Sequence, residues 1–460
     1  MIIAGVGGYY LGSQGVAPAA TTVTQVAATT LFQTVTITTQ MPTVTTVTTK
    51  TAVTTVPTVT ITTTTGPKLK DTLVMGTTDS VEVNLDPAEA YDFFGWEIIM
   101  NTGAGLVDIA PGTPYNAGIK DITPALATDW TASADGKTYT FNLRQGAKFY
   151  NGREFTADDV KYSFDRNMGL AIEEGPQVGI GYSDIIDSVE VTGKYQVVFH
   201  LKIPFSPFLN LMAAQASYIV NKDIATTAGP VNYVEGDARK SNPNDLGPYV
   251  LSSWSRVAGK DNEMRLDANP NYWAKAAGLP MTPHVIIKFY ADATALGLAV
   301  RSGDVDIAFR QLLASDIESM KTDPKVKVWQ GTGAFIQYML FQEKIPPFDN
   351  PKVRQAISAA LDRKEMVDTV FLGQAEPLYS IIPKGMMGNT DKFKELDKDT
   401  AKAVSLLKEA GYSETNKLKV EMWYESSGHY PQSPDQAAVW KSQLERTGVI
   451  EVTLKGADWP

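Results

Sequence analysis

The sequence contains no cysteine and only three histidines among its 460 residues. The absence of cysteine excludes disulfide bonds, thiolate catalysis, cysteine-ligated zinc and the modified cysteine of bacterial lipid anchors. The histidines, His200, His284 and His429, are far apart in the sequence. Their number and spacing argue against a histidine metal site and against a Ser-His-Asp triad. We therefore expect no metal held by cysteine or histidine and no catalytic triad.

The chain also lacks an excess of basic charge. Its formal net charge at pH 7 is -10, and its isoelectric point is near 5.0. Because nucleic-acid binding depends on a basic surface, nucleic acid is excluded as a partner. Hydrophobic residues make up 43% of the chain and charged residues 20%, which is typical of a soluble globular protein. The length is sufficient for about three domains.

No complete membrane-spanning run is present at the N-terminus. The first residues, MIIAGVGGYYLG, form an apolar run of about a dozen residues, whereas a spanning helix needs about 20. No basic residue precedes this run, so it does not match a complete secretory signal. We interpret residues 1–20 as the second half of a membrane helix or signal; a plain apolar N-terminus is the alternative.

Residues 21–65 consist mainly of threonine and valine, and Lys50 is the only charged residue among them. Such a tract has too few large apolar side chains to form a core. Threonine-rich segments with prolines are typical of O-glycosylated stalks, and β-branched residues favour an extended backbone. We predict a stalk over residues 21–68. An aggregation-prone β tract is the alternative, and glycan mass on the tract would distinguish the two.

The rest of the chain alternates strand-like and helix-like patterns. DTLVMGTT reads as a buried first strand, and Tyr139, Phe141 and Leu143 form the inward face of a second strand in KTYTFNLRQG. In FTADDVKYSFDRNM, Thr156 and Asp159 have the spacing of a capping box that begins a helix. This mixture predicts an α/β body of more than one lobe.

The sequence predicts the start of a second helix further along the chain. In DNPKVRQAISAALDRKEMVDTV, Asn350 is placed to cap a helix whose buried stripe is Val353, Ile357 and Leu361. Asp362 is then placed to cap a following helix.

Residues 134–166, ADGKTYTFNLRQGAKFYNGREFTADDVKYSFDR, are the most patterned stretch of the chain, with basic and acidic residues among alternating aromatics. Asp158 and Asp159 have the appearance of paired catalytic carboxylates beside an anion-binding set of basic residues. The capping pattern instead assigns both aspartates to a first helical turn, where the helix dipole favours negative charge. The basic residues then belong to the solvated strand face and the loop, and we predict that the stretch is architectural.

Four motifs occur in an order that is familiar from one protein family. They are ITPALATDW with the charged stretch that follows it, NDLGPYV with NPNYW, RSGDVDIA, and FIQYMLFQEKIPPFDNPKVRQAI. Together they resemble the extracellular solute-binding proteins of family 5, the dipeptide- and oligopeptide-binding class that serves ABC importers. The resemblance covers roughly residues 71–460. A threonine-rich stalk without a lipid-anchor cysteine further resembles archaeal cell-surface binding proteins.

The resemblance implies a fold. The expected class is α/β, a two-lobed clamp like that of the periplasmic binding proteins, with an extra domain on lobe I. Carried onto this chain, it places the lobe I core in residues 69–110 and 246–330, the extra domain in residues 111–245 and lobe II in residues 331–460. Family members continue well beyond the position matching Trp459, so lobe II is expected to be truncated.

The resemblance also implies a ligand site between the lobes. The loop DPAEAYDFFGW is expected at the cleft edge of lobe I, the strand AFIQYML is expected to cross into lobe II, and EMWYESSGH is expected to form a lobe II strand and loop near the cleft. The ligand-binding residues predicted in this way are Tyr91, Asp92, Phe93, Phe335, Gln337, Tyr338, Trp423 and Tyr424. Ordinary core packing is the alternative for each of them.

The implied function is that of a receptor on the extracellular face of the cell membrane, either anchored or secreted. It would capture a peptide or an oligosaccharide by hinge closure and deliver it to an ABC permease with its ATPase subunits. The prediction of no metal, no cofactor and no catalytic residue at all depends on this family resemblance. A structural surface protein or adhesin is one alternative. A glycoside hydrolase using the carboxylate pairs Asp158/Asp159 or Asp304/Asp306 is the other.

Overall fold

The computed structural model describes residues 70–110, 121–310, 312–331, 333, 335–426, 430 and 432–457, and the backbone of residues 20–24 and 60–64. The chain divides into a unit of residues Ser13–Lys70 and a unit that includes Asp71–Pro460. In the first unit, Ala20–Thr24 (β1) pairs antiparallel with Thr60–Thr64 (β2). The predicted partial membrane helix and most of the predicted stalk lie outside the described residues. Among the described helices, none combines the length and apolar character needed to cross a membrane.

The larger unit alternates strands and helices. Its strands are β3 (Thr72–Thr77), β4 (Val107–Ile109), β5 (Ile122–Pro124), β6 (Ala127–Ala132), β7 (Thr138–Leu143), β8 (Ile186–Gly193), β9 (Gln196–Leu201), β10 (Tyr249–Val257), β11 (Lys260–Ala268), β12 (His284–Phe289), β13 (Ile307–Ala308), β14 (Leu418–Glu425) and β15 (Ile450–Ala457). Its α-helices are α1 (Phe93–Thr102), α2 (Ala157–Leu170), α3 (Pro176–Gly179), α4 (Tyr182–Ile185), α5 (Phe208–Ala213), α6 (Ala293–Ser302), α7 (Ala314–Met320), α8 (Pro351–Ala360), α9 (Arg363–Thr369), α10 (Thr400–Glu409) and α11 (Ser433–Glu445).

A mixed five-stranded sheet forms the centre of the first core. Its strand order is β10-β11-β12-β3-β13, and β3 runs parallel to both of its neighbours. Met75 of β3 pairs with Ile287 on one side and Ile307 on the other. Helix α1 packs its buried Phe94 and Ile98 into the same cluster. We call this cluster, together with Met264, Leu266 and the other buried side chains of this sheet, the central core.

A four-stranded antiparallel sheet of order β6-β7-β9-β8 builds a second core. Tyr139, Phe141 and Leu143 of β7 are buried, as their alternation predicts. Phe141 packs edge-on against Phe199 of β9, and Phe164 of α2 does the same from the other side. We call this cluster the insert core, because its residues lie between those of the central core in the sequence.

A third cluster, the C-terminal core, surrounds the parallel pair β14-β15 and the helices α8, α10 and α11. Asn350 caps α8 by accepting a hydrogen bond from the Lys352 amide at 2.9 Å. The predicted stripe of Val353, Ile357 and Leu361 is buried in this cluster. The predictions for this helix are therefore confirmed.

The segment AFIQYML is not a strand. Within the part that the structure describes, residues 335–341 pair with no strand and have no regular secondary structure. Met339 and Phe341 are half-buried against the C-terminal core, whereas Phe335, Tyr338 and Leu340 are exposed. The apolar pattern that resembled a strand thus lacks a neighbouring strand to supply the hydrogen bonds of a ladder.

The charged stretch of residues 134–166 is architectural, as predicted, but the predicted location of one of its basic residues is wrong. Asp159 accepts hydrogen bonds from the Thr156 amide (2.9 Å) and from Arg153 Nη1 (2.6 Å), which confirms its role at the start of α2. Arg166, in contrast, does not lie on a solvated face, because its side chain is fully buried against Asp86. A charge pattern alone cannot distinguish an exposed arginine from one with a buried partner distant in the sequence.

The two adjacent aspartates at the start of α2 should differ in their effect on stability. Asp159 is buried and paired, whereas Asp158 is exposed. Asp159→Ala removes a cap and the closer of the two ion pairs of Arg153, whose other carboxylate, Asp223, lies 3.7 Å away; we therefore expect the free energy of unfolding to fall by about 2–4 kcal/mol. Asp158→Ala, the matched control, removes only a dipole interaction worth at most about 1 kcal/mol. Urea unfolding measures both; equal losses would contradict the assignment.

Candidate functional site

The loop that precedes α1 is held in place by a carboxylate at its centre. Asp86 accepts hydrogen bonds from the Ala88 amide at 3.0 Å and from the Val231 amide at 2.7 Å. Its own carbonyl accepts from the amides of Glu89 and Ala90. Asp86 is fully buried, so its charge requires a partner in the interior.

Arg166 of α2 supplies that partner. Its Nη1 and Nη2 atoms donate to the two carboxylate oxygens of Asp86 at 3.0 and 2.7 Å, a bidentate arrangement. Its Nε donates to the carbonyl of Thr226 and its Nη2 also to that of Gly229. The guanidinium therefore ties three segments together: the loop before α1, helix α2 and the chain near residue 226.

Asp92, a predicted ligand residue, lies at the end of this loop and caps α1. Its Oδ1 accepts from the Gly95 amide at 2.6 Å, and its Oδ2 is buried without a partner among the described residues. The pKa of Asp92 is raised to about 7, chiefly by burial and in part by the carboxylates of Glu82 and Asp79, against the lowering effects of the Gly95 amide and Arg310. The same loop therefore supplies a helix cap that retains a proton near neutral pH.

Aromatic rings from separate segments meet beside Asp92. The rings of Phe93 and Phe335 have centroids 4.8 Å apart, and Trp96 packs against Phe93 at 6.2 Å and against Tyr91 at 5.3 Å. Tyr91, Phe93 and Phe335 are each about half exposed or more. Two of the three predicted segments are thus brought together, and they present accessible ring faces.

Arg310 is a member of this cluster that the sequence patterns missed. Its guanidinium lies 5.7 Å from the ring centroid of Phe93 and 5.9 Å from that of Phe335, and it is ion-paired with Asp79. Its backbone has a φ of 42°, in the left-handed region that is uncommon for a non-glycine residue. The sequence offered one signal for this role, because Arg310 lies two residues after the end of β13 and side chains at strand ends often contribute to sites. We call Phe93, Trp96, Phe335 and Arg310 the aromatic-arginine cluster.

The remaining predicted residues are Gln337, Tyr338, Trp423 and Tyr424. Gln337 and Tyr338 are exposed, and Tyr338 raises the pKa of Tyr430, for which burial is the larger cause. Trp423 is exposed on β14, with Lys455 Nζ 5.2 Å from its ring centroid, and its neighbour Tyr424 is half-buried. Among the described residues, no ring contact joins either of these to Phe93 or Phe335.

The carboxylate pairs have structural roles. Asp306 accepts a hydrogen bond from the Val74 amide at 2.9 Å and so ties β13 to β3. Asp304 accepts from the hydroxyl of Ser302 at the end of α6. In the part of the chain that the structure describes, no group of three or more metal-ligating side chains is placed to hold an ion. The arrangement at the aromatic-arginine cluster suits non-covalent binding by stacking and by a few polar contacts.

The sheets and their order belong to the periplasmic-binding-protein fold, and solved structures of that class superpose on the chain. The peptide-bound DppA from Helicobacter pylori matches with a TM-score of 0.70 and 26% identity, over 84% of this chain and 74% of that one. AgaA from A. tumefaciens, in complex with agropinic acid, matches with a TM-score of 0.65 and 30% identity, over 84% and 73%.

The chain belongs to the bacterial extracellular solute-binding proteins, family 5, whose profile matches residues 121–460. Di/tripeptide-binding protein 2 of Pseudomonas aeruginosa is 30% identical over 387 residues, 79% of this chain and 70% of the relative. Heme-binding protein A of Haemophilus influenzae is 29% identical over 343 residues, 68% of this chain and 60% of the relative. The family and fold expected from the motifs are confirmed. The matches span 58% to 70% of the curated relatives' lengths.

The raised pKa of Asp92 predicts a loss of stability as the pH rises. The native carboxyl, with a pKa of about 7, keeps a proton that the unfolded chain releases near pH 4. This contribution is fully present below pH 4 and is lost as the pH rises to 7, a loss of about 4 kcal/mol. Asp92→Asn, which preserves a capping oxygen, should remove that part of the slope and be more stable than wild type at pH 8.

Glu97 has a pKa that burial also raises to about 7, so the slope should shrink rather than vanish. Urea unfolding between pH 4 and 8 measures the change, with the exposed Asp158→Asn as control. An unchanged slope in Asp92→Asn would show that Asp92 ionises normally in the native protein.

Removing the guanidinium of Arg166, which pairs with Asp86, should destabilise the protein and increase the mobility of the loop before α1. Arg166→Met leaves Asp86 buried without its partner, and we expect the free energy of unfolding to fall by about 3–5 kcal/mol. The double variant Arg166→Met/Asp86→Leu should recover most of this loss, because no charge is then buried.

Hydrogen exchange of residues 84–92 separates the local effect from the global one. Exchange there should rise in Arg166→Met, and it should stay at the wild-type rate in Arg363→Met, which breaks an ion pair with Asp397 elsewhere in the chain. Equal exchange in the two variants would mean that other contacts hold the loop.

Proposed function

We propose that the chain is the extracellular receptor of an ABC importer, which captures a small solute and delivers it to a permease with its ATPase subunits. The observation that carries the proposal is the aromatic-arginine cluster, where the start of α1, the segment after β13 and the segment at Phe335 meet. In a family of solute-binding proteins, accessible rings at such a junction suit a ligand held from two sides. Binding from two sides favours a closed state over an open one.

The proposed domain layout follows the three cores. Lobe I corresponds to residues 69–110 and 246–330, which supply most of the central core. The extra domain corresponds to residues 111–245, which supply nearly all of the insert core. Lobe II corresponds to residues 331–460, which contain the whole C-terminal core. Each proposed domain thus has its own buried cluster, as an independent folding unit requires.

A peptide is the favoured ligand class. Di/tripeptide-binding proteins of Pseudomonas aeruginosa and the dipeptide-binding protein of Escherichia coli are among the relatives. An oligosaccharide is the second class, supported by the accessible faces of Tyr91, Phe93, Phe335, Tyr338 and Trp423, because sugars stack on aromatic rings. The proposed contacts are the eight predicted residues, extended by Arg310.

For the N-terminal region we propose an anchor and a spacer. Residues 1–20 would contribute to a membrane anchor or a secretion signal, and residues 21–68 would form a glycosylated stalk outside the membrane. The composition of the tract, mainly threonine and valine with one lysine, supports this proposal. Glycan mass on the tract and partition into the membrane fraction test it.

A ligand screen by thermal unfolding tests the receptor function. Di- to pentapeptides and oligosaccharides are added at millimolar concentration, and a true ligand should raise Tm in proportion to the logarithm of its concentration. With any ligand so found, Phe93→Ala and Phe335→Ala should weaken the affinity by about tenfold or more.

The matched control is Phe393→Ala, another half-exposed phenylalanine that lies in the short 3-10 helix Lys392–Leu396. It should bind as the wild type does. If neither library shifts Tm, the receptor function is contradicted. If a ligand binds equally well to Phe93→Ala and to wild type, the receptor function stands and the proposed location of the site is wrong.

A further inference from the structure

Several buried polar side-chain atoms of the larger unit have no hydrogen-bond partner among the described residues. Within the described part of the chain, nine buried side-chain atoms make no hydrogen bond. Two of these belong to Asp92 and Arg310 near the candidate ligand site. The other seven belong to Asn101, Arg153, Gln177, Asn244, Asp245 and Trp273. Because an unsatisfied buried polar atom costs free energy, each of these atoms requires a physical explanation.

A small cavity is lined by one of these residues, Trp273. Its volume is about 30 Å³, and its lining combines the end of α1 and the strand β4 with Tyr218 and the Tyr272-Trp273 pair. Tyr218 is only 4% exposed, and its hydroxyl has no hydrogen-bond partner among the described residues. The same holds for the hydroxyl of Tyr272, and Trp273 Nε1 is buried without an acceptor.

The polar groups of this cavity lie close to one another. Burial raises the pKa of Tyr218, and the carboxylate of Asp108 and the hydroxyl of Tyr272 raise it further. Burial likewise raises the pKa of Tyr272 to about 12, again with a contribution from Asp108. Asp108 itself accepts a hydrogen bond from the Ile109 amide at 2.7 Å. One acceptor, one pure donor and two hydroxyls that can do either therefore face a shared space.

The chemistry of the lining selects the occupant. The indole N–H of Trp273 needs an acceptor, the carboxylate of Asp108 needs a donor, and the two hydroxyls can serve both. Water offers two donors and two acceptors, and a buried water needs about 10–15 Å³ of such volume with two to four polar partners. A cation would satisfy Asp108 but could not accept a hydrogen bond from the indole N–H.

We propose that this cavity is a hydration site that holds one or two ordered water molecules bridging Asp108, Tyr218, Tyr272 and Trp273. The bridged groups come from β4, from the segment after α5 and from the turn after β11. The water therefore joins the insert core to the central core. This site is separate from the aromatic-arginine cluster and does not depend on the proposed receptor function.

The sign of one substitution tests the proposal. If water fills the cavity, Tyr218→Phe removes one of its partners, and Tm should fall by about 1–3 °C. If the cavity is dry, the same change removes an unsatisfied buried hydroxyl, and Tm should rise. Tyr182→Phe calibrates the scale, because the Tyr182 hydroxyl is buried and contacts the Leu211 carbonyl at 3.2 Å and Ser217 Oγ at 2.9 Å. That variant should lose stability in either case.

Two further measurements identify the occupant. A crystal structure of the chain should show electron density within hydrogen-bond distance of at least two of the four side chains; an empty cavity, or one filled by another side chain, would overturn the proposal. Replacing sodium and potassium with choline at constant ionic strength should leave Tm unchanged in wild type. A fall in Tm that Tyr218→Phe abolishes would assign the site to a cation instead of water.

Discussion

The buried ion pair between Asp86 and Arg166 is the contact on which the geometry of the candidate site depends. An arginine and an aspartate without solvent contact are expensive to bury, and only a complete set of hydrogen bonds makes the arrangement tolerable. Here the two oxygens of Asp86 and the guanidinium of Arg166 all find partners. Because those partners lie on three segments, satisfying the charges also fixes where the segments meet.

This ion pair fixes the position of the loop before α1. At the other end of the loop, two groups lack a hydrogen-bond partner or have an unfavourable backbone conformation. Asp92 caps α1 with one oxygen and leaves the other without a donor. Arg310 adopts a left-handed backbone conformation beside it. Groups held in unfavourable states persist only where the surroundings enforce them, and they cluster at functional sites. A rigid anchor on one side of the loop and unsatisfied groups on the other are consistent with a surface prepared for a ligand.

Local rules predicted the parts of the fold that depend on neighbours in sequence. The alternation in β7, the caps at Thr156 and Asn350, and the stripe of Val353, Ile357 and Leu361 each follow from residues a few positions apart. The motifs, read together, also indicated the family.

What the sequence could not show depends on contacts between distant residues. Arg166 looks like an exposed helical arginine until Asp86, 80 positions earlier, is placed against it. The contacts of Arg310 with Phe93 and Phe335 likewise join residues that are distant in sequence. The segment AFIQYML has the composition of a strand, but it has no neighbouring strand to pair with. The predicted residues Trp423 and Tyr424 share a strand, but their relation to a ligand depends on geometry that no local pattern contains.

The parallel pairing of β3 with β12 has a consequence for synthesis. Thr72 faces His284, so the first strand of the central sheet emerges more than 200 residues before its nearest sheet partner. The sheet β6-β7-β9-β8, by contrast, lies within a continuous stretch and can form while the chain is still growing. Until β12 is available, β3 therefore remains an unpaired apolar strand, while the sheet β6-β7-β9-β8 can already be folded. That interval is when the nascent chain is most open to chaperones and to misassembly.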